Sequence, residues 1–226
     1  MQHFSSIIQQ ASYHHGGEQN LALVTEAMGY PVRSLDEIAA LDDNYLFAEL
    51  CRRIFRTGIR HAVVDAKWPN FEKAFFNFSP MRCAMMSDDE LEARMQDAGI
   101  IRHLAKIRAV RENANMVVWL AREHESFARF IAEWPAEDII GLWAFLKKHG
   151  NRMGGNSGAR FLRMVGRDTF VLTEDVLQAL RNAGVIDKHA TSKRDQAKVQ
   201  AAFNHWAEES GLGFATMSRI LALSIG

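Results

Sequence analysis

"RMGGNSGARFLRMVG", residues 152–166, is the stretch on which the fold turns. Gly154, Gly155 and Gly158, with Asn156 and Ser157, interrupt two amphipathic runs, and arginines surround them. Glycine costs a helix roughly 1 kcal/mol relative to alanine. The run therefore either ends a helix or lets something approach the backbone closely. The flanking pattern predicts one helix over Ala136–His149 and a second over Asn156–Val165, with Phe161, Leu162 and Val165 on a shared face. A tight glycine turn entering a helix leaves unpaired amide N–H groups at its N-terminus. Those groups and the helix dipole bind phosphate. Lys148, Arg152 and Arg160 add positive charge, and Asn156 and Ser157 add polar contacts. Together with Gly154, Gly155 and Gly158 they form a candidate helix-hairpin-helix that grips a DNA backbone without reading its bases. The alternative is an ordinary helix–helix connection with glycine as the cap.

The charge pattern around this stretch is segregated. The 226 residues carry 27 basic and 27 acidic side chains, so net charge alone does not mark a nucleic-acid binder. From Ile139 to Arg167, however, there is no acid, while Lys147, Lys148, Arg152, Arg160, Arg163 and Arg167 are present. From Ala98 to Arg111 the same holds, with Arg102, Lys106, Arg108 and Arg111. A neutral protein with separated basic stretches can present a phosphate-binding face, although solvated helix faces give the same pattern. Hydrophobic content of 48% is ample for a core. Two cysteines, Cys51 and Cys83, are too few for a disulfide scaffold and fit a reducing, cytoplasmic setting. The first residues do not read as a secretory leader, and no run is apolar for long enough to cross a membrane.

The rest of the chain reads as helix after helix. Leu46–Thr57 has helical apolar spacing and stops at Gly58. Asn70 is a plausible cap for Asn70–Phe78. Ser87 and Glu90 form a capping-box pattern ahead of Gly99. Ile101–Arg122 reads as a long helix, and Thr173 as the cap of a helix ending before Gly184. Lys193–Gly211 and Phe214–Leu223 close the chain. Strand signals at Arg60–Val64 and Thr169–Leu172 are short, so the expected fold class is all-α. The expected organisation is one unit of two lobes, one from residues 1–78 plus 185–226 and a hairpin lobe from 79–184.

Four segments resemble the type I 3-methyladenine DNA glycosylases of the helix-hairpin-helix glycosylase superfamily. They are "LFAELC" (46–51) followed by Gly58, "NFEKAFFNFSP" (70–80), "QDAGIIRHLAKIRAVRENA" (96–114), and "SYHH" (12–15), which is similar to the family's N-terminal Tyr-His segment. The resemblance implies a two-lobed helical fold. It also implies hydrolysis of the bond between a flipped, damaged purine and its sugar, on duplex DNA and by a monomer. It fails over the last forty or so residues, which lack the family's metal-binding His and Cys, so no metal or cofactor is expected.

The resemblance also locates site residues. Tyr13 stands at the family's stacking Tyr, and His14 at a neighbouring metal-ligand position. Arg53 stands where the family has its base-recognising Glu, and His61 where it has a stacking Trp. An arginine there repels a cationic base that a carboxylate would attract. Glu49, one turn before Arg53, either reaches the pocket or pairs with Arg53. In the superfamily's register Thr173 stands at the catalytic Asp position, with Glu174 and Asp175 beside it. The competing reading makes Thr173 a cap and its acids dipole partners. Trp68, beside Pro69 in an expected loop, is a candidate to line the base pocket or wedge the duplex. The candidate set is thus Glu49, Glu174 and Asp175 for catalysis, and Tyr13, Arg53, His61 and Trp68 for the base. Against an enzyme stands a non-catalytic binder of damaged or distorted DNA that kept the fold and lost the carboxylate.

Overall fold

The computed structural model describes residues 1–27, 29–190 and 192–226. The described residues form helices and no strand. In chain order these are α1 (Phe4–His14), α2 (Glu18–Ala27), α3 (Leu35–Ala39), α4 (Asp43–Arg56), α5 (His61–Ala66), α6 (Trp68–Ala74), α7 (Pro80–Ala84) and α8 (Asp88–Ala93). They continue as α9 (Leu104–Glu123), α10 (Phe127–Glu133), α11 (Ile139–His149), α12 (Ser157–Met164), α13 (Glu174–Asn182), α14 (Lys193–Ser210) and α15 (Phe214–Leu223). The weak strand signal at 60–64 falls largely in α5.

Two compact units divide the chain: residues 1–32, 135–141 and 168–226 form the first, and residues 33–134 and 142–167 the second. Residues 33–78, expected with the termini, fall in the second unit, and residues 168–184, expected with the hairpin, fall in the first. The physical reason lies in α4. Its apolar face, Leu46, Phe47, Leu50, Cys51, Ile54 and Phe55, is buried, and α4 packs on α9, α10 and α12. Burying each such side chain contributes about 1.5–3 kcal/mol.

In the first unit the core is aromatic. Phe170 stacks on Phe203 at 3.9 Å, and Phe4 meets Trp206 at 5.5 Å between ring centroids. Asp168 caps α15 by accepting from the Phe214 and Ala215 amides, both at 2.8 Å. The second unit uses the same device. Asp43, in the first turn of α4, accepts from the Phe127 and Ala128 amides at 2.9 Å and so caps α10.

Several local expectations hold. Ser87 and Glu90 form the capping box of α8, and Thr173 caps α13 by accepting from the Val176 amide. Asn70 does not cap a helix. With Pro69 in the first turn, α6 begins at Trp68, and Asn70 instead donates to the Gly99 carbonyl at 3.2 Å.

Candidate nucleic-acid and base-binding site

The hairpin forms between α11 and α12, within a residue or two of the expected boundaries at its turn. Buried Asn113 of α9 holds this turn. It donates to the Asn151 carbonyl at 3.0 Å and accepts from the Asn151 amide at 2.9 Å, while also donating to Ala109 of its own helix. At Gly150 a side chain would lie 2.7 Å from the Leu146 carbonyl and 2.9 Å from Asn113, so glycine is required for this approach. In the sequence Asn113 stands out only as part of the 96–114 motif. Its side-chain amide, buried beside a glycine turn, is the signal that marks its role.

Gly155 has φ +57°, and nothing lies within 4 Å of where its Cβ would stand. The turn thus presents open backbone to a ligand, as phosphate approach requires. Gly154 and Asn156 complete the turn, and Asn156 immediately precedes α12. Ser157 and Gly158 are buried in the first turn of α12, where Gly158 faces the Trp143 backbone of α11. Lys148 is exposed in the last turn of α11. Arg152, exposed with φ +61°, donates from Nε to the Ala105 carbonyl at 3.3 Å. Arg167, counted among the basic residues of the acid-free run, is a core residue. It is buried and donates to the Ile131 and Trp134 carbonyls.

Beside the hairpin, α4 and α12 bring arginines together. Arg56 Nη1 lies 4.0 Å from Met164 Sδ of α12. Arg53 precedes Arg56 by three residues, and Arg160 precedes Met164 by four, so both stand one turn back on the facing surfaces. Arg53 is half-buried, and its Nε is sealed from solvent with no hydrogen-bond partner among the described residues. Burial, and then the charges of Arg160 and Arg56, hold its guanidinium below the usual arginine range. Arg56 is neutralised by Asp65, which it meets through two nitrogens at 2.7–3.2 Å. No described acid forms an ion pair with Arg53 or Arg160. His61 opens α5 on the same flank. Desolvation, then Arg56 and Arg53, lower its imidazolium pKa. Lys106 is buried and donates to the Phe55 and Thr57 carbonyls at the end of α4.

Glu49 is 7% exposed and pairs with Arg52 at 2.8 Å, not with Arg53. Arg53 lies on the part of α4 that faces α12, which leaves Arg52 as the neighbour of Glu49. Burial raises the Glu49 carboxyl above its usual range, and Arg52 opposes that shift. The Arg52 guanidinium also lies 4.4 Å over the Trp68 ring. Trp68 is not a loop residue. It is 4% exposed at the start of α6 and stacks on Phe78 at 4.9 Å and on Phe71 at 5.3 Å. That is a core position, which excludes a wedge into the duplex.

The remaining candidates belong to the first unit. Tyr13 is 86% exposed near the end of α1. Glu174 and Asp175 occupy the exposed first turn of α13, where Glu174 Oε2 lies 4.0 Å from His189 Nδ1.

A sequence model of the methyladenine glycosylase family matches residues 37–193, which contain α4, the arginine cluster and the whole hairpin. The chain belongs to this family. Over 90 residues it is 33% identical to DNA-3-methyladenine glycosylase 1 of Escherichia coli (strain K12), covering 40% of this chain and 48% of that protein. The chain spans about half the length of the curated relatives it matches. A crystal structure of 3-methyladenine DNA glycosylase I aligns with TM-score 0.51 at 25% identity, over 65% of this chain and 88% of the other. The 8-oxoguanine DNA glycosylase of Methanocaldococcus jannaschii aligns with TM-score 0.53 at 17% identity, over 95% and 91% of the two chains, and shares the fold. The all-helical fold of this methyladenine glycosylase family member is therefore that of the helix-hairpin-helix DNA glycosylases.

Proposed function

We propose that this chain is a base-excision repair glycosylase that hydrolyses the N-glycosidic bond of a damaged purine flipped out of duplex DNA. Family membership over residues 37–193 carries the reading. The hairpin supports it with an open, positive-φ glycine among exposed basic residues. In this reading the hairpin holds the phosphate backbone through Lys148, Arg152 and the amides of the turn at Gly154 and Gly155. Arg53 and His61 are the base-pocket residues of the second unit, and Tyr13 is the stacking candidate of the first. The enzyme works as a monomer in the cytoplasm and needs no cofactor. Trp68 leaves the set because it is core.

Three carboxylates were candidates for stabilising the developing positive charge on the sugar. Glu49 is already engaged by Arg52, which leaves Glu174 and Asp175, neither of which pairs with an arginine or lysine among the described residues. Base release from alkylated, deaminated and oxidised duplexes, read by mass spectrometry, tests the reading. The expected result is release of a damaged purine by the natural protein, and its loss in a Glu174→Gln, Asp175→Asn double variant that still binds DNA. One observation favours a second reading, a non-catalytic binder of damaged DNA: Arg53 stands in place of the family's carboxylate. Salt-sensitive duplex binding without release of any base would establish it.

A further inference from the structure

Arg53 and Arg160 stand on two helices separated by about a hundred residues of chain, yet α4 packs on α12 and the two charges act on each other. Neither has a carboxylate partner among the described residues, whereas Glu49 pairs with Arg52 and Asp65 with Arg56. The Arg53 Nε is sealed from water and bonded to nothing among the described residues. Two unpartnered guanidinium groups at one place form a site that accepts electron pairs and repels cations. Arginine carries only donors. The group it faces must therefore present acceptors, and a base edge with an amino donor is a mismatch.

Resting on the glycosylase reading above, we infer that the pocket at Arg53 and Arg160 recognises a neutral purine bearing a 6-oxo group, through its O6/N7 edge, rather than a cationic alkylated adenine. Arginine meets the O6 and N7 acceptors of such a base in a bidentate fashion, whereas adenine offers an amino donor at the corresponding place.

The chemistry of bond cleavage agrees with this assignment. A cationic methylated base departs as a neutral molecule and needs no help with charge. A neutral base departs with the electron pair of the C1′–N9 bond and carries developing negative charge. Arg53 and Arg160 donate hydrogen bonds to that charge where it forms. Water adds its oxygen to C1′. One of its protons remains on the sugar hydroxyl and the other ends on the released base, so the overall change is hydrolysis.

The test uses the full chain with two readouts. In the first, duplexes carrying a single hypoxanthine or xanthine are compared with duplexes carrying 3-methyladenine, and freed bases are identified by mass spectrometry. In the second, binding of free hypoxanthine and free 3-methyladenine is followed by calorimetry. The expected result is release of a 6-oxopurine in preference to 3-methyladenine. Arg53→Gln and Arg160→Gln should each lower that release about 10- to 100-fold, and an intact circular dichroism melt should show that each variant is folded. Release of 3-methyladenine alone overturns the inference and leaves the glycosylase reading standing. No release, with hypoxanthine bound in an Arg53-dependent manner, overturns the glycosylase reading and leaves the recognition inference standing. No release of any base and no binding of hypoxanthine overturns both.

Discussion

The hairpin and the α4–α12 arginine cluster lie in the same unit and carry the same sign of charge, yet they are built in opposite ways. At the hairpin the backbone does the work: an open glycine at φ +57°, a turn held by Asn113, and exposed cations at the rim. At the cluster the side chains do the work, and Glu49 and Asp65 are committed to Arg52 and Arg56. A binding framework can be held by local geometry, and it survives large changes in sequence around it. A recognition site is set by the balance of charges that distant segments bring together, and one residue changes its sign.

That contrast can be strained from both sides. The largest effect is expected at the cluster, from Arg52→Gln. It leaves the Glu49 carboxylate buried without its partner, at a cost of about 3 kcal/mol in urea unfolding near pH 8. Glu49 already has a raised pKa in the folded state, and loss of Arg52 raises it further. The folded form then binds more protons than the unfolded form, so stability falls as pH rises. The deficit should shrink as pH is lowered toward 5, and a deficit independent of pH would place the cost in lost packing on Trp68. At the hairpin, Asn113→Ala leaves the Asn151 amide and carbonyl without partners. It should cost about 2 kcal/mol, read as a lower urea midpoint.

Smaller effects separate holding the turn from using it. Gly155→Val strains a left-handed backbone and covers the open approach. It should weaken duplex binding about tenfold, a change of about 1.4 kcal/mol, at temperatures where the variant remains folded. Equal loss on matched and damaged duplexes is expected, because the contact is to phosphate. Lys148→Gln should weaken binding only about two- to threefold and lower the salt slope by about one. An unchanged slope would remove Lys148 from the contact set.

The helices were legible because capping and apolar spacing are local. Ser87, Glu90 and Thr173 announce their helices within four residues. The hairpin was legible for the same reason. What was not legible depends on rotation about a helix axis and on partners far along the chain. Glu49 has arginines at both three and four residues beyond it, and only the docking of α12 against the Arg53 side of α4 decides between them. Trp68 beside a proline reads as a loop, and its neighbours Phe71 and Phe78 show otherwise only once α6 is docked. Arg167 looks like one more surface cation until its carbonyl partners at Ile131 and Trp134 are seen.

The facing of Arg53 and Arg160 has a consequence for how this protein could have diverged, and for how it could be turned back. Arg53→Glu alone would place the new carboxylate opposite Arg160, where the two would form an internal ion pair and cancel. Restoring a carboxylate that meets a cationic base thus requires a second change, Arg160→Gln, and the two substitutions are expected to be strongly epistatic. Each single variant should leave release of 3-methyladenine near background, with a gain in the pair alone. The route between the two specificities passes through a silent intermediate, so a search by single substitutions would miss it.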